Sequence, residues 1–370
     1  MSDATTARPR LLTGDTPTGR LHLGHWVGSL ENRLKLQETH DCYFLIANKH
    51  AFSTRAADPE AIRQSVIDVA TDWLAIGLDP ERSALFVQSE VPAIDELTFF
   101  FSMLLPFNRV MRNPTLTQEL KDKGLGDKHS FGFPLYAVGQ TADILAFRPQ
   151  VVPVGEDQAP HLEMTREVAR KFNQLYCGVD PQDESGEVGV LPVPQLKVGR
   201  VGRLPGTNGP ADGAVGGALQ KMSKSLNNAI FLGDDPKTVK KKVQKMYTDP
   251  ARVHMTDAGN PDPAVNPLFA FLRTFMPDQG QVDAWADGYR KGGETAPGDG
   301  TLKKALVEQL IEQFADIREK RAHYEARPDD VMDALKLGTT KANVVAEETL
   351  AMCKAAMKQD FFGRSLTIGG

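Results

Sequence analysis

The chain has 370 residues, 41% hydrophobic and 25% charged, with a formal net charge of −5. That length exceeds one ordinary core and predicts two domains, and the balance of residues is that of a globular protein rather than a uniformly basic nucleic-acid binder. No apolar run reaches the roughly 18 residues of a membrane span, and the polar stretch Met1 to Arg10 has no signal-peptide core, so a cytoplasmic protein is expected.

Arg10-Leu11-Leu12-Thr13-Gly14 predicts a first strand that ends in glycine. The chain then passes Pro17 and Gly19 into His22-Leu23-Gly24-His25 and an amphipathic helix to about Gln37. Cys42 to Ala47 predicts a second strand. Asp58-Pro59-Glu60 opens a helix as N-cap, first position and acidic first turn, and that helix runs through Trp73 toward Gly77. Ala84 to Ser89, Val151 to Gly155 and Ala229 to Leu232 predict a third, fourth and fifth strand. Strands that alternate with helices predict an α/β fold, a parallel sheet wound on both faces, whose ligands bind beyond the carboxyl ends of the strands.

Residues 181–220 are rich in Gly, Pro and Val and read as a long loop. Past Asp234 helical patterns dominate, at 236–247, 264–276, 301–326, 328–336 and 339–358. The expected division is therefore an α/β domain over 1–233 and an all-helical domain over 234–370. Cys42, Cys177 and Cys353 lie far apart without a CxxC pair, so reduced thiols are expected rather than a zinc site. No cluster of carboxylates reads as a dedicated metal cage.

Two short strings carry chemistry. Lys221-Met222-Ser223-Lys224-Ser225 puts two ammonium groups and two hydroxyls on a loop, and His22-Leu23-Gly24-His25 puts two imidazoles at a helix start. Singly they read as a basic surface loop and a helix start with two exposed histidines. Together, in this order, KMSKS and HLGH resemble the two signatures of class I aminoacyl-tRNA synthetases. That resemblance implies a Rossmann-like catalytic domain, ATP, an amino acid and a tRNA. In adenylation the amino acid carboxylate attacks the α-phosphorus of ATP and pyrophosphate leaves. The carboxylate is already ionised, so the protein needs to place reactants and stabilise phosphate charge. Gly24 leaves room for a flat nucleoside, His22 and His25 can donate to phosphate oxygens, and Lys221 and Lys224 can follow the leaving pyrophosphate.

Tyr136, Gln140 and Asp143 follow i, i+4, i+7 spacing, which sets one carboxylate on an apolar helix face. With Ala142-Asp143-Ile144-Leu145, Val151-Val152-Pro153-Val154-Gly155-Glu156-Asp157-Gln158 and His161-Leu162-Glu163, this stretch resembles the tryptophanyl-tRNA synthetases. The likeness extends to 85–92, 234–236, 247–250, 317–331 and 337–342. It implies activation of L-tryptophan and its transfer to tRNA(Trp). It implies that Asp143 accepts the indole N–H, that Tyr136 and Gln140 (Met in many relatives) shape the slot, and that Val152 and Val154 flank the ring. His50 and Gln158 would sit near the polar end of the substrate, and Gly155 and Asp157 near ribose or ammonium. Thr16, Gly24, His25, Met222, Ser223 and Ser225 would join the two lysines around ATP, with Mg2+ arriving on the nucleotide.

A homodimer is implied as well, with the greasy run Leu97 to Leu105 as its local sign. The helical domain would bind the anticodon arm, offering Lys240, Lys241, Lys242, Lys245, Arg318, Lys320 and Arg321. Three departures point to a divergent bacterial branch and leave an auxiliary role open. They are Thr13-Gly14-Asp15-Thr16-Pro17, which lacks a Gln before the Pro, the stretch Leu105 to Pro114, and the enlarged glycine-rich segment before KMSKS. The competing readings are a tyrosyl-tRNA synthetase, a synthetase-like regulatory protein without aminoacylation, and a simple HxGH nucleotidyl transferase.

Overall fold

A computed structural model describes residues 8–122, 124–154, 159–180, 182, 189–198, 204–211, 213–363 and 366. In chain order, β1 (Arg10–Asp15) leads to α1 (Leu23–His25), a π-helical turn (Trp26–Leu30) and α2 (Glu31–Leu36). There follow β2 (Asp41–Ile46), α3 (Asn48–Arg55), α4 (Pro59–Ile76), β3 (Ala84–Val87), α5 (Pro92–Ser102), α6 (Phe107–Met111) and α7 (Pro114–Asp122). Next are α8 (Gly132–Leu145), β4 (Val151–Val154), α9 (Ala159–Tyr176), β5 (Gln195–Val198), β6 (Pro205–Pro210) and β7 (Leu219–Lys221). The chain continues through α10 (Pro236–Gln244), α11 (Pro267–Phe275), α12 (Gln279–Lys291), α13 (Asp299–Gln313), α14 (Ala315–Glu325) and α15 (Pro328–Ala356).

Five strands form one parallel sheet in the order β3-β2-β1-β4-β5. Chain order reverses between β1 and β4, which makes their carboxyl ends the switch point where such sheets bind ligands. Every residue of β2 from Cys42 to Ile46 is buried, as expected of a strand covered on both faces. The α4 helix starts with Pro59 at its first position, though the Asp58 side chain makes no cap bond. It stops at Gly77, whose φ of +99° suits glycine, with the Gly77 and Leu78 amides closing onto the Leu74 and Trp73 carbonyls.

The chain divides into two compact units, but not at residue 233. One holds 1–19, 32–199 and 324–370, with the parallel sheet; the other holds 20–31 and 200–323. The helical region past 233 is thus shared between them. The reason is α15, which packs on β3. A Cβ at Gly338 would lie 2.0 Å from the Leu85 carbonyl oxygen, and the Asn343 amide donates to the Glu90 carbonyl at 2.8 Å. Ala342, Ala346 and Cys353 of α15 complete a core with Phe86, Phe101, Phe133, Phe147 and Phe172.

Other elements differ from expectation. The fifth sheet strand is β5, inside the stretch read as loop, because Gln195 to Val198 pairs residue for residue with β4. Residues 229–232 are not a strand of that sheet; they meet the HLGH segment instead, with Phe231 opposite His22. The antiparallel pair β6 and β7 also lies in the presumed loop. The helix expected over 301–326 breaks at Phe314, whereas 328–336 and 339–358 merge into one helix through Gly338.

Candidate functional site

The two signature strings lie in one unit and touch. The backbone at the start of HLGH is stitched to residues beyond KMSKS: the Leu23 amide donates to the Ile230 carbonyl at 2.9 Å and the Leu232 amide to the Leu21 carbonyl at 3.0 Å. The Gly24 amide donates to the Met222 sulfur at 3.4 Å. A Cβ at Gly24 would lie 3.0 Å from the His22 ring, a tight fit, and 3.5 Å from the Met222 Cβ, an ordinary contact. The His22 and His25 rings lie tilted at 38° with centroids 3.8 Å apart, and the His22 amide donates to His25 Nδ1 at 3.1 Å. Burial pushes the His22 imidazole down to about 2, with His25 and Lys224 acting the same way, so the ring is neutral at physiological pH. Met222 is buried and anchors the loop, while Lys221 and Ser225 face solvent and the Ser223 and Ser225 hydroxyls pair at 2.9 Å.

The second cluster lies in the sheet-bearing unit. Asp143 on α8 is 2% exposed. Its carboxyl accepts from Gln88 Nε2 at 2.7 Å and stands 3.3 Å from His50 Nε2. Gln88 follows β3 and His50 follows β2, so both extend from carboxyl ends of parallel strands. Gln88 Nε2 also lies 2.9 Å from His50 Nε2, and Gln88 Oε1 accepts from the Lys49 amide at 3.0 Å. Gly139 makes space for this: a Cβ there would sit 3.1 Å from His50 Nε2. Burial raises the Asp143 carboxyl to about 7, although the Gln88 hydrogen bond and Lys49 pull it down. Burial, then His161 and Lys49, lower His50 to about 3. The cluster is therefore a carboxyl poised between its two forms beside a neutral imidazole. It can accept a polar hydrogen from an otherwise apolar ligand.

The family profile described as tRNA synthetases class I (W and Y) matches residues 4–315. The chain belongs to this family. Within it, the chain is 42% identical to the tryptophan–tRNA ligase of Lactococcus lactis over 362 residues, covering 96% of this chain and 99% of that one. It is 41% identical to the tryptophan–tRNA ligase of Streptococcus mutans over 363 residues, with 96% and 100% covered. Among solved structures it resembles the tryptophanyl-tRNA synthetase of Campylobacter jejuni complexed with ADP and tryptophan, at a TM-score of 0.76 and 29% identity, covering 94% of this chain and 99% of that one.

The remaining residues expected from the synthetase likeness fall as follows. The Tyr136 ring stands beside the Asp143 cluster, 5.6 Å from His50 and 5.9 Å from His161 between centroids, while its hydroxyl donates to Glu119 at 2.7 Å. Gln140 is half-buried one turn before Asp143. Val152 is buried in the core on β4. Thr16 is exposed just past β1. Gly155, Asp157 and Gln158, and the side chain of Val154, lie outside the described residues. Among the described residues no group of three or more His, Cys, Asp or Glu could hold a metal ion.

Gln88 escaped the sequence reading, which set it inside the third strand over Ala84 to Ser89, whereas β3 ends at Val87 and frees its side chain for Asp143. Arg321, expected on the surface, is buried, and a Cβ at Gly233 would lie 2.4 Å from its Cδ. Arg318 donates to the Ile311 carbonyl, and Lys242 bonds Asp234 at 2.6 Å while lying 4.5 Å from the Phe231 ring centre. Lys240, Lys241, Lys245 and Lys320 are exposed.

Proposed function

We propose that this protein activates L-tryptophan with ATP to tryptophanyl-adenylate and transfers it to tRNA(Trp). The observation that supports this most is the contact of HLGH with KMSKS through Gly24 and Met222, in a chain 42% identical to a tryptophan–tRNA ligase. The tryptophan carboxylate attacks the α-phosphorus, the bond to the β-phosphate oxygen breaks, and pyrophosphate leaves. No base is required. Neutral His22, with His25, offers ring N–H groups to phosphate oxygens, and Lys221 and Lys224 offset the charge that grows on pyrophosphate. Ser223, Ser225 and the backbone near Met222 and Gly24 shape that loop, and Thr16, Gly155 and Asp157 complete the ATP set in this reading. Mg2+ belongs to the nucleotide substrate, held by its phosphate oxygens.

Asp143 accepts the indole N–H. Gln88 holds the carboxylate through an amide N–H with His50 beside it, Tyr136, Gln140, Val152 and Val154 bound the ring, and Gln158 is assigned to the amino acid end. Helices of the region past 233 bind tRNA, and the molecule works as a cytoplasmic homodimer. The three cysteines are free thiols, and no described helix is long and apolar enough to cross a membrane. For the dimer, Leu97 and Phe101 are buried in the protomer's own core, whereas Phe99, Met103 and Phe107 are 62%, 66% and 59% exposed.

ATP–pyrophosphate exchange with each of the twenty amino acids tests the reading. Exchange should depend on tryptophan and magnesium, with little support from tyrosine. Equal exchange with tyrosine and tryptophan would remove the assignment of the Asp143 slot.

A further inference from the structure

Asn228 lies three residues beyond KMSKS and is 1% exposed. Its side chain makes three hydrogen bonds. Oδ1 accepts from the Ser223 amide at 2.7 Å. Nδ2 donates to the Lys221 carbonyl at 3.0 Å and to Asn208 Oδ1 at 2.6 Å. Its backbone carbonyl accepts from the Thr207 amide at 2.9 Å. One amide thus grips both the first and third residues of KMSKS and ties them to β6.

The surroundings are fitted to this arrangement. A Cβ at Gly206 would lie 2.1 Å from Asn228 Nδ2, so the strand opposite leaves the amide its space only because glycine is there. Asn227 turns the chain back with a φ of +49°, a conformation Asn tolerates better than most residues, and its amide closes onto the Lys224 carbonyl at 3.0 Å. The four-residue turn and the buried amide together fix the direction of the loop backbone that carries Lys221, Ser223 and Lys224. A buried amide with this many partners is costly to disturb, because each broken bond leaves a buried polar atom of Asn228 unpaired.

We propose that Asn228 is a positioning residue for pyrophosphate departure. It holds the KMSKS backbone in the shape that aims the two ammonium groups, and it does so without touching substrate. This rests on the adenylation reading above. If that reading is right, the loop matters more in the transition state than in the ground state, so losing its shape should lower kcat and spare the binding of tryptophan.

Asn228→Asp keeps the acceptor for the Ser223 amide and loses both donated bonds. Gly206→Ala pushes the amide aside from the opposite strand and alters no KMSKS residue. Each variant is assayed by tryptophan-dependent pyrophosphate exchange at saturating ATP, beside thermal unfolding. The expected result for both is a fall in kcat of at least about tenfold, with KM for tryptophan within about twofold of wild type and cooperative unfolding retained. Wild-type kcat in either folded variant overturns the proposal. So does a raised tryptophan KM at unchanged kcat, and so does loss of folding in both variants, which would make Asn228 a residue of the fold alone. Absence of exchange in the wild-type protein would instead sink the adenylation reading, so the two failures are distinguishable.

Discussion

On the proposed reading, Asp143 links stability and tryptophan binding to pH. Its carboxyl sits at about 7 in the folded protein against an ordinary value of 3.8, because burial disfavours the charge. The folded state therefore holds a proton that the unfolded chain has released between those values. The stabilisation this gives is complete below 3.8 and is lost as pH climbs to about 7. The gap corresponds to roughly 4 kcal/mol. Asp143→Asn removes the titration, so its melting temperature relative to wild type should rise between pH 5 and pH 8 in calorimetry. A constant difference across that range would show that Asp143 is not the titrating group. Tryptophan binding runs the other way in wild type: an indole N–H prefers the carboxylate, so affinity should strengthen from pH 6 to pH 8. Asp143→Ala should cost about 2–4 kcal/mol in kcat/KM for tryptophan, as for a charged hydrogen bond lost in a dry site.

At the scale of elements, α15 joins the C-terminal end of the chain to the sheet. Gly338 sits where the helix crosses Leu85, with no room for a methyl group against backbone. Backbone on β3 cannot yield as a flexible side chain does. Gly338→Ala should destabilise the fold by about 1–3 kcal/mol, despite the better helix propensity of alanine. Denaturant unfolding measures this, and a stabilised variant would mean that α15 does not pack on β3 as described. The same packing explains why two helical patterns expected on either side of Gly338 form one helix. Propensity favours a break at glycine, but burial of Val331, Leu335, Ala342, Ala346 and Leu350 along one face outweighs it.

For the whole molecule, charge governs the encounter with tRNA. The protein is acidic overall, so binding should depend on a few exposed lysines and weaken steeply with salt. Arg321 is buried and unsuited to a charge reversal, since a glutamate there would test folding rather than binding. Lys241→Glu with Lys320→Glu is the better pair. It should leave pyrophosphate exchange near wild type and cut tRNA charging at least about tenfold, or roughly 1.4 kcal/mol. Full charging at physiological salt would place the tRNA surface elsewhere. The dimer is tested by sedimentation at micromolar concentration: a dimer mass is expected, and Phe99→Glu with Phe107→Glu should shift it to monomer. A monomer mass for wild type would mean the exposed phenylalanines serve another purpose.

Local strings were legible without coordinates. HLGH, KMSKS and the i, i+4, i+7 face of α8 are contiguous or periodic and so stand out in the sequence, while the chemistry expected of them is what the synthetase resemblance implies. The alternation of strands and helices likewise predicted the doubly wound sheet. Contacts between residues distant in the chain were not legible. Gln88 meets Asp143 across 55 positions, and its amide reads as ordinary until the end of β3 meets α8. Arg321 reads as a solvated cation on a helix, yet the fold buries it, with Gly233 packed against its side chain. Residues 195–198 look like loop because an edge strand of four residues has little periodicity of its own and gains its structure from pairing with β4. Residue types and periodicity encode what a segment can do chemically, whereas burial and long-range pairing, set by the fold as a whole, decide which of those groups meet.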